Sequence, residues 1–358
     1  MPQISGKNLQ YTEERKMQNV LLLRSRLKEL PPFMAEFFRG IGDYTEPLTR
    51  IGYAYDFRLF FGYLSENEPK FNGRPIRDFT FGDLAMIDAV DIENFMEYLS
   101  YYVKESEGRQ LLIQNEAQGK SRKLAAVRTM LAYFYKKGRI PSNPGELVDF
   151  PKLRQKNIIR LEFDEVARLL DEVEGGGKLT TRQQKFDELT RKRDLALVTL
   201  LLGTGMRVSE CVGIDLDHID FDICGVKVVR KGGDEAVIYF GPEVEAALAD
   251  YLEARLDMTP MEGHERALFL SLQNRRITVR AVQNLVKKYA SLVTSLKKIS
   301  PHKLRSTFGT HLYQETGDIY LVADMLGHSD VNTTRKHYAN MEEERRRTAA
   351  RAIRLRED

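Results

Sequence analysis

The chain has 358 residues, 42% of them hydrophobic and 30% charged, with a formal net charge of +3 and two cysteines. That length suits two domains, each able to bury a core, and excludes a small disulfide-stapled scaffold. Cys211 and Cys224 lack metal-ligand spacing, the N-terminus lacks a charged-then-apolar leader, and the longest apolar run, residues 195–202, is far below the roughly 20 residues that cross a bilayer. A reducing compartment, the cytoplasm, is expected, with no membrane partner.

In chain order, residues 1–30 are polar, and helical spacing over 13–30 that stops at Pro31-Pro32 predicts an N-terminal arm or leading helix. Apolar residues recur at helical spacing over 33–38 and 51–64, the latter with Tyr53, Phe57, Phe60, Phe61 and Leu64. Asp91 reads as the N-cap of a helix running to Tyr102. Residues 119–137 form an amphipathic helix with Leu124, Val127, Met130, Leu131 and Phe134 inward and Lys120, Lys123 and Arg128 outward. These elements predict an all-helical domain over 31–140, whose aromatic stripe is core because it repeats every helical turn. Gly138, Pro141, Pro144, Gly145 and Pro151 mark a linker over 141–160.

The second domain, 161–340, opens with a helix capped by Asp164 and running to Val173, followed by the Gly175-Gly176-Gly177 loop. A helix over 191–202 breaks at Gly203-Thr204-Gly205, which places Arg207 near the start of the next one. Strand-like runs over 226–230 and 236–240 flank Lys231-Gly232-Gly233-Asp234, a hairpin with Lys231 at its tip. Helices follow over 242–256, 278–292, 303–315 (ended by Gly317), 319–326 and from Thr333 onward. The tail, 341–358, is charged and helical in pattern, with Glu342–Arg346 and Glu343–Arg347 at i,i+4.

The small net charge conceals segregation. Residues 120–160 carry eleven Lys or Arg against Glu146 and Asp149, residues 273–306 carry nine and no acid, and with +9 in each zone the rest of the chain stands at −15. A phosphate-tracking surface needs such zones, because each neutralised phosphate releases counterions. Lys120, Arg122, Lys123, Arg128, Lys152 and Arg154 in the first zone, and Lys287 and Lys288 in the second, are the candidate contacts to double-stranded DNA.

Four separated motifs carry the chemistry: Gly205-Met206-Arg207-Val208-Ser209-Glu210, then Ser300-Pro301-His302-Lys303-Leu304-Arg305, then Leu326-Gly327-His328, then Thr333-Thr334-Arg335-Lys336-His337-Tyr338. Arg forks bind non-bridging phosphate oxygens bidentately, and Tyr can form a covalent ester. Taken singly, each element has a bland reading: Arg207 and Glu210 as an i,i+3 ion pair, His302 and Arg305 as a solvated helix face, Tyr338 as one of sixteen tyrosines. A metal site on His302, His311, His328 and His337 has no pair at H-x-x-x-H spacing, and His311 and His337 read as structural.

In this order the motifs resemble the tyrosine recombinases of the phage-integrase and Xer type, over about residues 160–340. The resemblance implies a mainly α fold, with an N-terminal helical core-binding (SAM-like) domain and a C-terminal mixed α+β catalytic domain bearing a small β-sheet. It implies that Arg207 and Arg305 clamp the scissile phosphate, Glu210 supports the site, and Tyr338 is the nucleophile. His302 would exchange a proton with that nucleophile, and His328 would hydrogen-bond the phosphate or the tyrosyl oxygen. Lys231 would protonate the departing 5′ oxygen, with Lys227 and Arg230 close by in sequence. The reaction would be site-specific recombination through a 3′-phosphotyrosyl intermediate and a Holliday junction, serving mobile-element integration and excision or Xer-like dimer resolution. No cofactor and no metal are implied. The implied assembly is a homotetramer on two DNA sites, coupled through the C-terminal tail, with an accessory DNA-bending factor or a second recombinase as further partners. Two departures stand out: His328 and Tyr338 are one residue further apart than in the best-known members, and Ser306 replaces a common His. A type IB topoisomerase and a binding-only protein of the same fold are the alternatives.

Overall fold

Proline, glycine and capping residues set the element boundaries in the computed structural model, which describes residues 11–106, 108–153, 159–230, 233–328 and 330–331. The chain divides into two units, Met1–Gln155 and Lys156–Asp358.

The first unit is built from helices α1 (Tyr11–Leu27), α2 (Met34–Gly40), α3 (Pro47–Asn67), α4 (Phe81–Ala85), α5 (Ala89–Tyr98) and α6 (Ala117–Lys136), with a hairpin of β1 (Tyr101–Ser106) and β2 (Arg109–Gln114) between α5 and α6. Pro47 opens α3, where its missing N–H costs nothing. The aromatic stripe is core: Phe37, Phe57, Phe60, Phe61, Phe95 and Phe134 are fully buried. Phe37 meets Phe57 edge-on at 5.4 Å, a favourable quadrupole arrangement.

Three expectations for this unit are corrected. Asp88, not Asp91, caps α5, and Asp91 is the third helical residue; each side chain accepts the other's backbone N–H, at 3.0 and 2.8 Å. The helix ends at Tyr98, and the following residues pair antiparallel with Tyr102 opposite Ile113, so the unit is not all helical. Lys123 is buried, not outward: its Nζ donates to Asn115 Oδ1 at 2.7 Å, beside the carboxylate of Asp56. Burial holds this ammonium below the usual lysine range, against the pull of Asp56.

The second unit contains α7 (Phe163–Gly175), α8 (Thr181–Thr204), α9 (Val208–Cys211), an antiparallel sheet of β3 (Ile219–Asp220), β4 (Gly225–Val229) and β5 (Glu235–Tyr239) in that order, and then α10 (Pro242–Leu256), α11 (Val279–Val293), α12 (Pro301–Thr316) and α13 (Ile319–Met325). Mainly helical with small sheets, the fold is of the expected class. The cap of α7 is Glu162 rather than Asp164. Helix α8 begins ten residues earlier than expected, where Thr180 and Gln183 form a capping box.

Helix α8 packs against α7, α10 and α12, which explains its apolar run: Ala196, Leu197, Val198, Leu200 and Leu201 are all buried. Three residues of its polar half, Asp187, Thr190 and Asp194, are buried too. Asp187 and Asp194 accept the Tyr289 hydroxyl of α11 at 2.5 and 3.2 Å, with Lys288 Nζ 3.9 and 3.8 Å away. Burial beside two carboxylates pushes the Tyr289 phenol far up. The expected helix from Thr333, the tail helix, and residues Arg154, Lys231 and Tyr338 lie outside the described residues.

Candidate active site

The site grows from two glycine turns. Gly205 ends α8 at φ 62, and a Cβ there would lie 2.3 Å from the Phe308 ring of α12. A left-handed conformation and a close approach therefore both require glycine. The Gly205 carbonyl accepts Arg305 Nη1 at 2.7 Å. Two residues on, Arg207 caps α9, where Glu210 accepts both the Arg207 backbone N–H at 2.7 Å and its Nη1 at 2.9 Å. The buried Glu210 carboxylate thus fixes the arginine at two points.

The second turn ends α13. Gly327 adopts φ 58; its N–H donates to Asp324 O at 2.7 Å and that of His328 to Ala323 O at 2.9 Å, a Schellman closure. This closure presents two successive carbonyls outward. Arg305 Nη2 donates to Leu326 O, and Arg207 Nη2 donates to Gly327 O at 3.1 Å. Two guanidiniums from distant points of the chain therefore converge on one turn, with the half-buried His328 next in sequence. Arg305 is 6% exposed, while a third of the Arg207 side chain is open to solvent. His302 is exposed on the first turn of α12, three residues before Arg305 and so on the same helix face. Ser306, also on α12, donates to His302 O at 3.1 Å.

The structure thus brings together Arg207, Glu210, Arg305 and the His328 turn, with His302 one helical turn from Arg305. Lys231 and Tyr338 are not among the described residues. His311, read as structural, is so: it stacks on Phe163 at 3.8 Å and bonds Leu161 O at 3.2 Å.

The candidate DNA contacts divide by environment. Lys152 and Lys287 are exposed. Lys120 donates to Ser100 Oγ at 2.6 Å, and Arg122 forks onto the buried Asp56 at 2.5 and 2.7 Å. Arg128 donates to Val148 O at 3.1 Å and covers the Phe150 ring. Lys288 lies over Tyr289 and toward the buried aspartates, and desolvation holds its ammonium below the usual lysine range. Elsewhere, Asp215, Asp217 and His218 hold ligand-type atoms within 4.8 Å of one another. All three are already engaged: Arg276 binds Asp215, Arg266 binds Asp217 at 2.8 Å, and His218 Nδ1 accepts the Asp215 N–H at 3.2 Å.

Residues 159–345 match the sequence model of the phage integrase family. A tyrosine recombinase XerC of Caldanaerobacter subterraneus is 34% identical over 314 residues, 85% of this chain and 82% of that protein. The chain belongs to the phage integrase family of tyrosine recombinases. A second XerC, from Thermodesulfovibrio yellowstonii, is 30% identical over 68% of this recombinase and 81% of its own length. The Tn1549 transposon integrase in complex with circular intermediate DNA shares the fold, with a TM-score of 0.61 over 85% of this chain and 93% of that one at 18% identity. The XerH recombinase bound to palindromic difH substrate gives 0.58 over 85% and 78%, at 19% identity. As a member of this family the recombinase is an enzyme that cleaves and rejoins DNA strands in site-specific recombination.

Motif reading of this recombinase named Arg207 and Arg305 but missed the backbone groups that orient them, the carbonyls of Gly205, Leu326 and Gly327. The signal was present as glycine at helix ends.

Proposed function

We propose that this recombinase exchanges strands between two double-stranded DNA sites through Tyr338. The observation that carries the reading is the convergence of Arg207 and Arg305 on the Leu326–Gly327 turn. Guanidiniums held by backbone carbonyls and by Glu210 stand ready before the reaction, and preorganised donors stabilise the charge that gathers on equatorial oxygens in a pentavalent transition state.

In the proposed cycle the Tyr338 oxygen attacks the scissile phosphorus as its proton passes to His302. The P–O5′ bond breaks, Lys231 protonates the departing oxygen, and a 3′-phosphotyrosyl ester remains. His328 hydrogen-bonds the phosphate. The 5′ hydroxyl of the partner duplex then attacks the ester and the tyrosine is released with its proton restored. Each step exchanges one phosphoester for another, so the cycle balances without an external energy source. Two rounds through a Holliday junction complete the exchange, with four protomers around two sites in the cytoplasm.

Residues 31–140 are proposed as the helical core-binding domain, 141–160 as the basic linker and 161–340 as the catalytic domain, each meeting the duplex backbone. Lys152, Arg154 and Lys287 would make direct phosphate contacts. Lys120, Arg122, Lys123, Arg128 and Lys288, engaged within the protein, would add long-range field more than direct contact. A second recombinase or a bending factor completes the assembly where one homotetramer does not suffice. The XerC likeness supports dimer resolution, and the Tn1549 fold likeness suits mobile-element transfer.

The test is a plasmid carrying two copies of the site recovered by selecting bound fragments of the source genome. Recombinant products with wild type, and none with Tyr338→Phe, are expected. Supercoil relaxation without recombinants would point to topoisomerase chemistry instead.

A further inference from the structure

Arg230 follows β4 directly, and the cycle above gives it no part. A Cβ built on Gly327 would lie 2.8 Å from Arg230 Cζ, 2.9 Å from Nη1 and 3.0 Å from Nε. Near-equal distances to three atoms of one plane mean that the guanidinium lies face-on against the residue of the turn that has no side chain. The carbonyl of that same glycine takes Arg207, and the preceding carbonyl takes Arg305. Three guanidiniums therefore surround two successive peptide units.

Glu210 is committed to Arg207 at 2.9 Å, and the Arg230 guanidinium makes no hydrogen bond or ion pair among the described residues. Its backbone, in contrast, is pinned: the Arg230 N–H donates to Asp234 O at 2.7 Å, and Arg230 O accepts the Gly233 N–H at 3.1 Å. A fixed strand end thus carries a cation whose face is covered by Gly327 and whose edge donors have no acceptor among the described residues. In-plane N–H groups of guanidinium suit tetrahedral oxyanions, and a glycine in contact with that plane is what lets it come so close.

We propose that Arg230 is a third phosphate-binding arginine, which donates to a non-bridging oxygen of the same phosphodiester that Arg207 and Arg305 take. This rests on the recombinase reading of the site. Arg230 adds a donor from the sheet side, so that the equatorial oxygens are held from three elements: α9, α12 and the end of β4.

The experiment measures single-turnover covalent adduct formation on a nicked duplex of the protein's own site. One substrate carries the natural phosphate at the cleavage position and one a methylphosphonate, in which a neutral methyl replaces a charged oxygen. Wild type, Arg230→Ala and Arg230→Lys are compared after thermal unfolding and duplex binding have been matched. The alanine variant should lose about 100-fold on the natural phosphate, the effect of one missing transition-state donor, with the lysine variant between it and wild type. On the methylphosphonate the alanine variant should lose much less, because the charge that Arg230 answers is absent. Equal losses on both substrates would mean that Arg230 only props the Gly327 turn, and an unchanged alanine variant would give it no part; either overturns the proposal while wild-type adduct preserves the recombinase reading. No adduct with wild type on either substrate would overturn both.

Discussion

Arg305 shows how little a side chain's identity says without the backbone around it. Its fork spans the Gly205 and Leu326 carbonyls, a geometry that an ammonium cannot reproduce. Arg305→Lys should therefore cut cleavage by about 100-fold or more while leaving duplex binding largely intact, as single-turnover adduct rates and gel shifts would establish. Gly205→Ala is expected to destabilise the second unit by about 1–3 kcal/mol, since it forces a positive φ and meets Phe308; thermal unfolding measures this. His311 gives a pH signature. Burial against Phe163 lowers its folded pKa below the ordinary 6.5, so the stability it contributes is complete above that value and is lost as pH falls through the folded one. Unfolding midpoints of the wild type should drop on acidification below about 6.5 more steeply than those of His311→Gln, and parallel slopes would contradict this. All these residues were legible in sequence as types, yet their acceptors were not, because a carbonyl's partner depends on which distant turn folds beside it.

At the level of elements, an ion pair on a buried carboxylate joins helices that sequence patterns treat separately. Arg122 of α6 forks onto Asp56 of α3, whose carboxyl is pushed up by burial against the pull of the arginine. Arg122→Ala strands that carboxylate and should destabilise the first unit by about 1–3 kcal/mol. Arg122→Ala with Asp56→Leu should recover much of the loss, a coupling that a purely DNA-facing arginine would not show. The basic zone over 120–160 was thus correctly seen as charge, but part of it serves the fold. The β1–β2 hairpin escaped the sequence for a different reason: nearly all of β2 is exposed, so no alternation of apolar and polar residues marks it, and Tyr98 and Tyr102 mimic helical spacing. In contrast, α10, α11 and α12 were readable because Pro242, Thr278 and Gly317 punctuate them by mechanisms that need no tertiary context.

For the whole molecule, the ordering of the four motifs along the chain carried the function, because folding brings the first three to adjacent turns of one unit. The assembly is a property of further copies and of DNA. If the tail docks on a neighbouring protomer, deleting the residues after Asn340 should abolish synapsis of two sites while single-site binding persists, as sedimentation and gel shifts on one and two sites would report. Intact recombination by that truncation would contradict the tail's part. The most direct measurement on the central claim is to digest the covalent protein–DNA adduct with a protease and a nuclease and to locate the nucleotide by mass spectrometry. A 3′-phosphate ester on the peptide containing Tyr338, and on no other tyrosine, is the expected result. An ester on another residue, or strand cleavage without any protein-linked phosphate, would contradict it.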